Sequence, residues 1–267
     1  MKTNNVARWG TAAFVIGSIV STYFFSGPRR RGSSTKLFEE QQRPLDQNLT
    51  TPANATFAVV WPVIYTGTMG LALHQALPAQ RDNGRYAQAR PWWLACYALN
   101  LAFGYFFSRP DQGSRVGAGV TTIATLPMAL GLHHALQIGR SDVPQPERTL
   151  RRSVSLYAGW LTAATVVSAG NLLIEAGVRP APAGAARWAY GVLPVTAALG
   201  LAVARRLNDP YYLLPFVAAF TGIAAKQRGK ADGVAGVAVA GAVVAALAFA
   251  GGLRRLPAQT GESAGGE

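Results

Sequence analysis

From residue 53 to residue 77 the chain carries no charged side chain. At about 1.5 Å of rise per residue, a helix of that length crosses a hydrocarbon layer about 30 Å thick. Few other structures can accommodate such a stretch, because backbone polar groups in lipid must be satisfied within the segment. Further apolar runs fall at 9–25, 91–107, 116–136, from 155 onward, and at 188–204, 211–225 and 234–253. Together they predict an all-α fold, a polytopic transmembrane helix bundle of about eight spans. Only 14% of residues are charged, against roughly a quarter in ordinary soluble domains.

Within the first-named run, Thr51 is placed to cap a helix and Pro52 to occupy its first position, where a missing N–H does no harm. Phe57, Trp61 and Tyr65 recur every four residues and so share one side of that helix. Pro62 removes the hydrogen bond to the Ala58 carbonyl and is expected to bend the helix beside this aromatic side. Such a side is either a packing surface or the wall of a pocket.

The net charge of +13 would suggest nucleic acid for a soluble chain. Here the basic residues cluster between apolar runs, where anionic headgroups lie, so membrane lipids are the expected partner and nucleic acid is not. These residues divide almost evenly between the two sides of an eight-span topology, so the positive-inside rule selects neither orientation. The first run ends in the bulky Tyr23-Phe24-Phe25, without a small-x-small cleavage site, and reads as an uncleaved span. Residues 1–50 thus comprise a first helix and a polar connection, and 257–267 a disordered tail. Trp92 and Trp93 follow Pro91 at a span end, the position of an aromatic belt.

Ionisable residues are scarce inside the spans, which argues against an ion pump. Cys96 stands alone in an apolar segment and offers neither a disulfide nor a thiolate metal site. His133 and His134 are adjacent, so on a helix they point about 100° apart and do not converge on one metal. With His74, near a span end, they read as packing or interfacial residues. Asn48 and Asn54 each begin a glycosylation-type triplet of little weight. Asn100, in mid-span, requires a hydrogen-bond partner on a neighbouring helix or a ligand. Pro194 and Pro215 are expected to interrupt the sixth and seventh spans. Gly236 with Ala240, and Ala242 with Ala246, give the eighth span small-residue spacings for close helix contact.

Three stretches together resemble the tryptophan-rich sensory protein (TspO/MBR) family, the relatives of the mitochondrial translocator protein. The first is Pro52, Phe57, Trp61 and Tyr65, followed by Met69-Gly70 one residue later than usual. The second is Leu99-Asn100 with Phe103, where the family usually has Trp, and Phe106-Phe107 one residue early. The third is Tyr157, Trp160, Thr162, Ala164 and Thr165, with Ser168 in place of an Asn.

The resemblance implies a five-helix translocator-like core, here 51–206 by order, with a first helix before it and two additional helices at 207–256. It implies a cavity that accepts porphyrins and other flat hydrophobic ligands, with Trp61 and Trp160 facing each other across it. On that basis Phe57, Trp61, Tyr65, Asn100, Phe103, Tyr157, Trp160 and Ala164 are the candidate ligand-binding residues, with no catalytic and no metal-binding residue assigned. The implied function is an integral membrane binding or sensor protein for a flat apolar small molecule, a porphyrin or haem being the ligand in view. Two alternatives stand beside it. One is an accessory subunit, a homodimer or part of a larger membrane complex, docking through the eighth helix. The other is a weak pigment-modifying enzyme, since porphyrin breakdown is reported in the family.

Overall fold

A computed structural model of the chain describes residues 2–26, 47–109, 111–178 and 182–253. Most of the expected polar connection and the whole expected tail lie outside these residues. Among the described residues there is no strand. The described residues form eight α-helices: α1 (Lys2–Ser26), α2 (Asn54–Ala76), α3 (Gly84–Phe107), α4 (Gln112–Ala135), α5 (Glu147–Glu175), α6 (Pro182–Leu207), α7 (Leu214–Gln227) and α8 (Asp232–Ala250). Five of them, α2, α4, α5, α6 and α8, are long and apolar enough to cross a membrane. α7 has only 14 residues, fewer than the roughly 17 of a straight span, and a 3₁₀ turn at Pro210–Leu213 leads into it. The chain is a multi-pass integral membrane protein.

Helix ends depart from the sequence reading in two places. α2 begins after Ala53, with no side-chain cap. Pro52 therefore precedes the helix, and the Ala53 N–H donates instead to the Gly222 carbonyl of α7 at 3.1 Å. Pro215 does not interrupt a span but sits in the first turn of α7, where no hydrogen bond is lost. Elsewhere capping is conventional. Asp111 accepts from the Ser114 N–H (2.8 Å) and hydroxyl (2.7 Å) at the start of α4. The hydroxyl bond first, and then the N–H, hold its carboxyl below the usual carboxylate range.

Packing draws the helices into two groups. α1 lies on α2 and α3, α3 on α4, α4 on α5, and α2 on α5. α6 packs chiefly on α8, and α8 on α7, while α7 joins the groups by contacting α5 and α2. The divide between the two packing groups falls between α5 and α6. The contact between α5 and the turn before α7 is very close. A Cβ at Gly159 would lie 2.1 Å from the Tyr212 carbonyl oxygen, and Thr162 bonds the Tyr212 hydroxyl.

One surface expectation is overturned. Trp93 belongs to the core, fully buried and stacked on Tyr97 with ring centroids 5.7 Å apart. Trp92 packs over Gly131 of α4 rather than standing free in an interfacial belt. In α8 the buried side is Val234, Ala235, Ala238 and Ala245, while Gly236 and Ala240 point outward. Small residues lie on every side of this helix, so spacing alone did not identify the packed face.

Candidate ligand-binding cavity

α2, α3 and α5 present their aromatic sides to one another, and a cavity of about 840 Å³ opens beside them. That size is near the top of the range of about 300–1,000 Å³ for small-molecule sites. All eight sequence-proposed residues line it: Phe57, Trp61, Tyr65, Asn100, Phe103, Tyr157, Trp160 and Ala164. The i, i+4 spacing on α2 does what helical geometry requires, setting Phe57, Trp61 and Tyr65 on one wall. Trp61 stacks on Tyr65 at 4.9 Å and 27°. Trp160 meets Trp61 edge-on at 6.2 Å and 78°, and Phe57 edge-on at 5.4 Å and 86°. The two tryptophans are therefore neighbours in one aromatic cluster and do not face each other across the space. Phe103, stacked on Phe107 at 5.1 Å, adds a further ring pair from α3.

Asn100 finds its partners within the protein. Its Oδ1 accepts from the Tyr65 hydroxyl at 2.9 Å, and its Nδ2 donates to the Thr22 Oγ1 of α1 at 2.9 Å. Ser18, one turn away on α1, donates to the Tyr97 carbonyl at 2.7 Å. One buried amide thus joins α1, α2 and α3 at the cavity wall. This fixes the orientation of Tyr65 and, through the ring stack, that of Trp61.

Several lining residues went unrecognised in the sequence. Arg109, Arg115 and Glu175 give the cavity a charged end. Arg115 and Glu175 form a two-point pair, Nε to Oε1 and Nη2 to Oε2, the latter at 3.1 Å. The Glu175 side chain is almost entirely buried. Arg109 lies over the Tyr105 ring, 3.6 Å from its centroid. Asn171 also lines the cavity, accepting from the Asn48 Nδ2 at 2.7 Å. Asn48 is buried in this bond, which leaves no room for a glycan there. Charges at helix ends sixty residues apart in sequence carry no local signal of pairing. α6 and α7 add Leu193, Thr196 and Phe220, residues indistinguishable in the sequence from ordinary lipid-facing ones.

The lining contains no histidine and no cysteine. His74 bonds the Tyr86 hydroxyl at 2.8 Å, and His133 shares a buried 2.8 Å hydrogen bond with Asp209. The cavity can hold a flat apolar face by stacking and offer hydroxyl and amide groups to its edge. It offers no imidazole or thiolate to an iron atom.

A protein-family model described as TSPO-like protein matches residues 8–251, which run from within α1 to the end of α8. No curated protein and no solved structure matches the chain.

Proposed function

This chain belongs to the TSPO-like protein family, and we propose that it binds a flat, largely apolar small molecule, a tetrapyrrole or one of similar shape, in the cavity between its helices. The observation that carries this reading is the cluster of Phe57, Trp61, Tyr65 and Trp160 beside a space of about 840 Å³. Indoles offer a broad apolar face together with one N–H donor, which suits a flat ring system with polar edges.

The test is an absorption titration of the detergent-purified protein with protoporphyrin, haem and a carotenoid. A saturable shift of the porphyrin band is expected. No spectral change with any of the three would defeat the reading. Trp160→Phe is expected to weaken binding by on the order of 1 kcal/mol, several-fold, through lost stacking area and the lost N–H. Trp188, half exposed at a distance from the cavity, is the control, and Trp188→Phe should bind as the unaltered protein does.

The accessory-subunit reading keeps one observation in its favour, the outward-facing Gly236 and Ala240 on α8. A stoichiometric partner retained in mild detergent, and lost from Gly236→Leu, would favour it.

A further inference from the structure

A second, much smaller cavity lies at the opposite end of α3 from the charged mouth. Its volume is about 10 Å³, space for about one water-sized group. Arg8 of α1, Gln75 of α2, Arg81 in the connection and Tyr86 and Arg90 of α3 line it, with no carboxylate among the lining residues. Among the described residues, two donors here have no hydrogen-bond partner, Arg8 Nε and Gln75 Nε2, and the residues are only 6% and 2% exposed.

The rest of the Arg8 guanidinium is held by neutral groups. Nη1 donates to the Leu77 carbonyl at 2.9 Å and Nη2 to Asn5 Oδ1 at 2.5 Å. A guanidinium so buried is costly unless a negative group meets it. Among the described residues, the acids on the neighbouring elements are otherwise engaged. Asp82 sits 3.6 Å from Arg81 and is mostly exposed, and Glu147, which approaches from α5, takes two hydrogen bonds from Arg85. The exposed Trp9, beside Arg8, and exposed Leu77 mark this end as the zone where headgroups meet acyl chains. At that depth phosphate is the abundant anion, and basic pockets between helices are suited to it.

We propose that this cavity is a phosphate site: one phosphate oxygen enters it to meet Arg8 Nε and Gln75 Nε2, with Arg81, which also reaches the exposed Asp82, at its rim. The phosphate belongs either to an anionic lipid headgroup or to a free phosphate ion. The experiment measures the unfolding midpoint of the delipidated protein in neutral detergent. Short-chain phosphatidylglycerol, diacylglycerol of the same chain length and inorganic phosphate are titrated separately. Phosphatidylglycerol is expected to raise the midpoint saturably and diacylglycerol to leave it unchanged. Arg8→Gln should weaken the effect about tenfold, as loss of a charge-assisted hydrogen bond does. An equal rise with inorganic phosphate supports the site with the free ion as its occupant. No rise with either phosphate compound overturns the proposal, as does a rise that Arg8→Gln and Arg81→Gln both leave intact. Should Arg8→Gln fail to fold, Arg81→Gln, on a side chain nearly half exposed, decides by the same criterion.

Discussion

Replacing Gly159 with alanine is expected to destabilise the protein by about 3 kcal/mol, at the upper end of what overpacking usually costs. The added Cβ would stand 2.1 Å from the Tyr212 carbonyl oxygen, 3.1 Å from its carbon and 3.3 Å from Pro215 Cγ. A flexible side chain could swing aside, but here the obstacle is backbone. The turn that carries it is tied down by the bond between Thr162 and Tyr212, whose ring is buried. Relief therefore requires α5 to withdraw from the turn Pro210–Leu213, and α7, which follows directly, to move with it. Thermal unfolding in detergent would read the loss. Gly236→Ala in α8 is the matched control, since its Cβ would meet nothing within 4 Å, and helix propensity there favours alanine. Similar midpoints for the two variants would show that the close contact at Gly159 is dispensable.

The wall of the large cavity was legible in the sequence because helical periodicity is a local property. Phe57, Trp61 and Tyr65 must share a side whatever surrounds them, and three partial motifs placed α3 and α5 against that side. Burial in a membrane protein is harder to read, since lipid and protein interior are equally apolar. Trp93 and Trp188 both sit near basic residues in the sequence, yet one is fully buried and the other half exposed. The same ambiguity hid the packed side of α8, where Ala238 is buried and Ala240 is exposed. Pairings over long sequence separations were illegible for another reason. Nothing near Arg115 announces Glu175, and nothing near Asn100 announces a serine and a threonine some eighty residues earlier. α1 supplies the partners of the mid-membrane amide from a stretch that carries none of the three motifs.

Asn100→Leu is expected to cost about 2 kcal/mol and to loosen the cavity wall as well. The substitution keeps the volume roughly constant, so the loss comes from hydrogen bonds rather than from a void. Tyr65 loses its acceptor at 2.9 Å, and Thr22 loses the Nδ2 donor at 2.9 Å while the weaker approach of Ser18 at 3.4 Å also disappears. Interhelical hydrogen bonds in membranes average only about 0.6 kcal/mol, because the separated helices find other partners in lipid. Thr22 retains such a partner, donating to the Asn100 carbonyl at 3.3 Å. Tyr65 does not, and leaving its half-buried hydroxyl without a protein partner costs about 1 kcal/mol, the lower end of the range for an unsatisfied group. The tyrosine should therefore account for most of the effect, which a double-mutant cycle can isolate. Tyr65→Phe alone should be mild, and in its background Asn100→Leu should cost about 1 kcal/mol less than in the unaltered protein. Because Tyr65 stacks on Trp61 at 4.9 Å, Asn100→Leu should also weaken porphyrin binding more than Tyr65→Phe does. Additive costs in the cycle would mean that the amide serves α1 and not the aromatic wall, and Trp61 would then owe its orientation to Tyr157 and Trp160 alone.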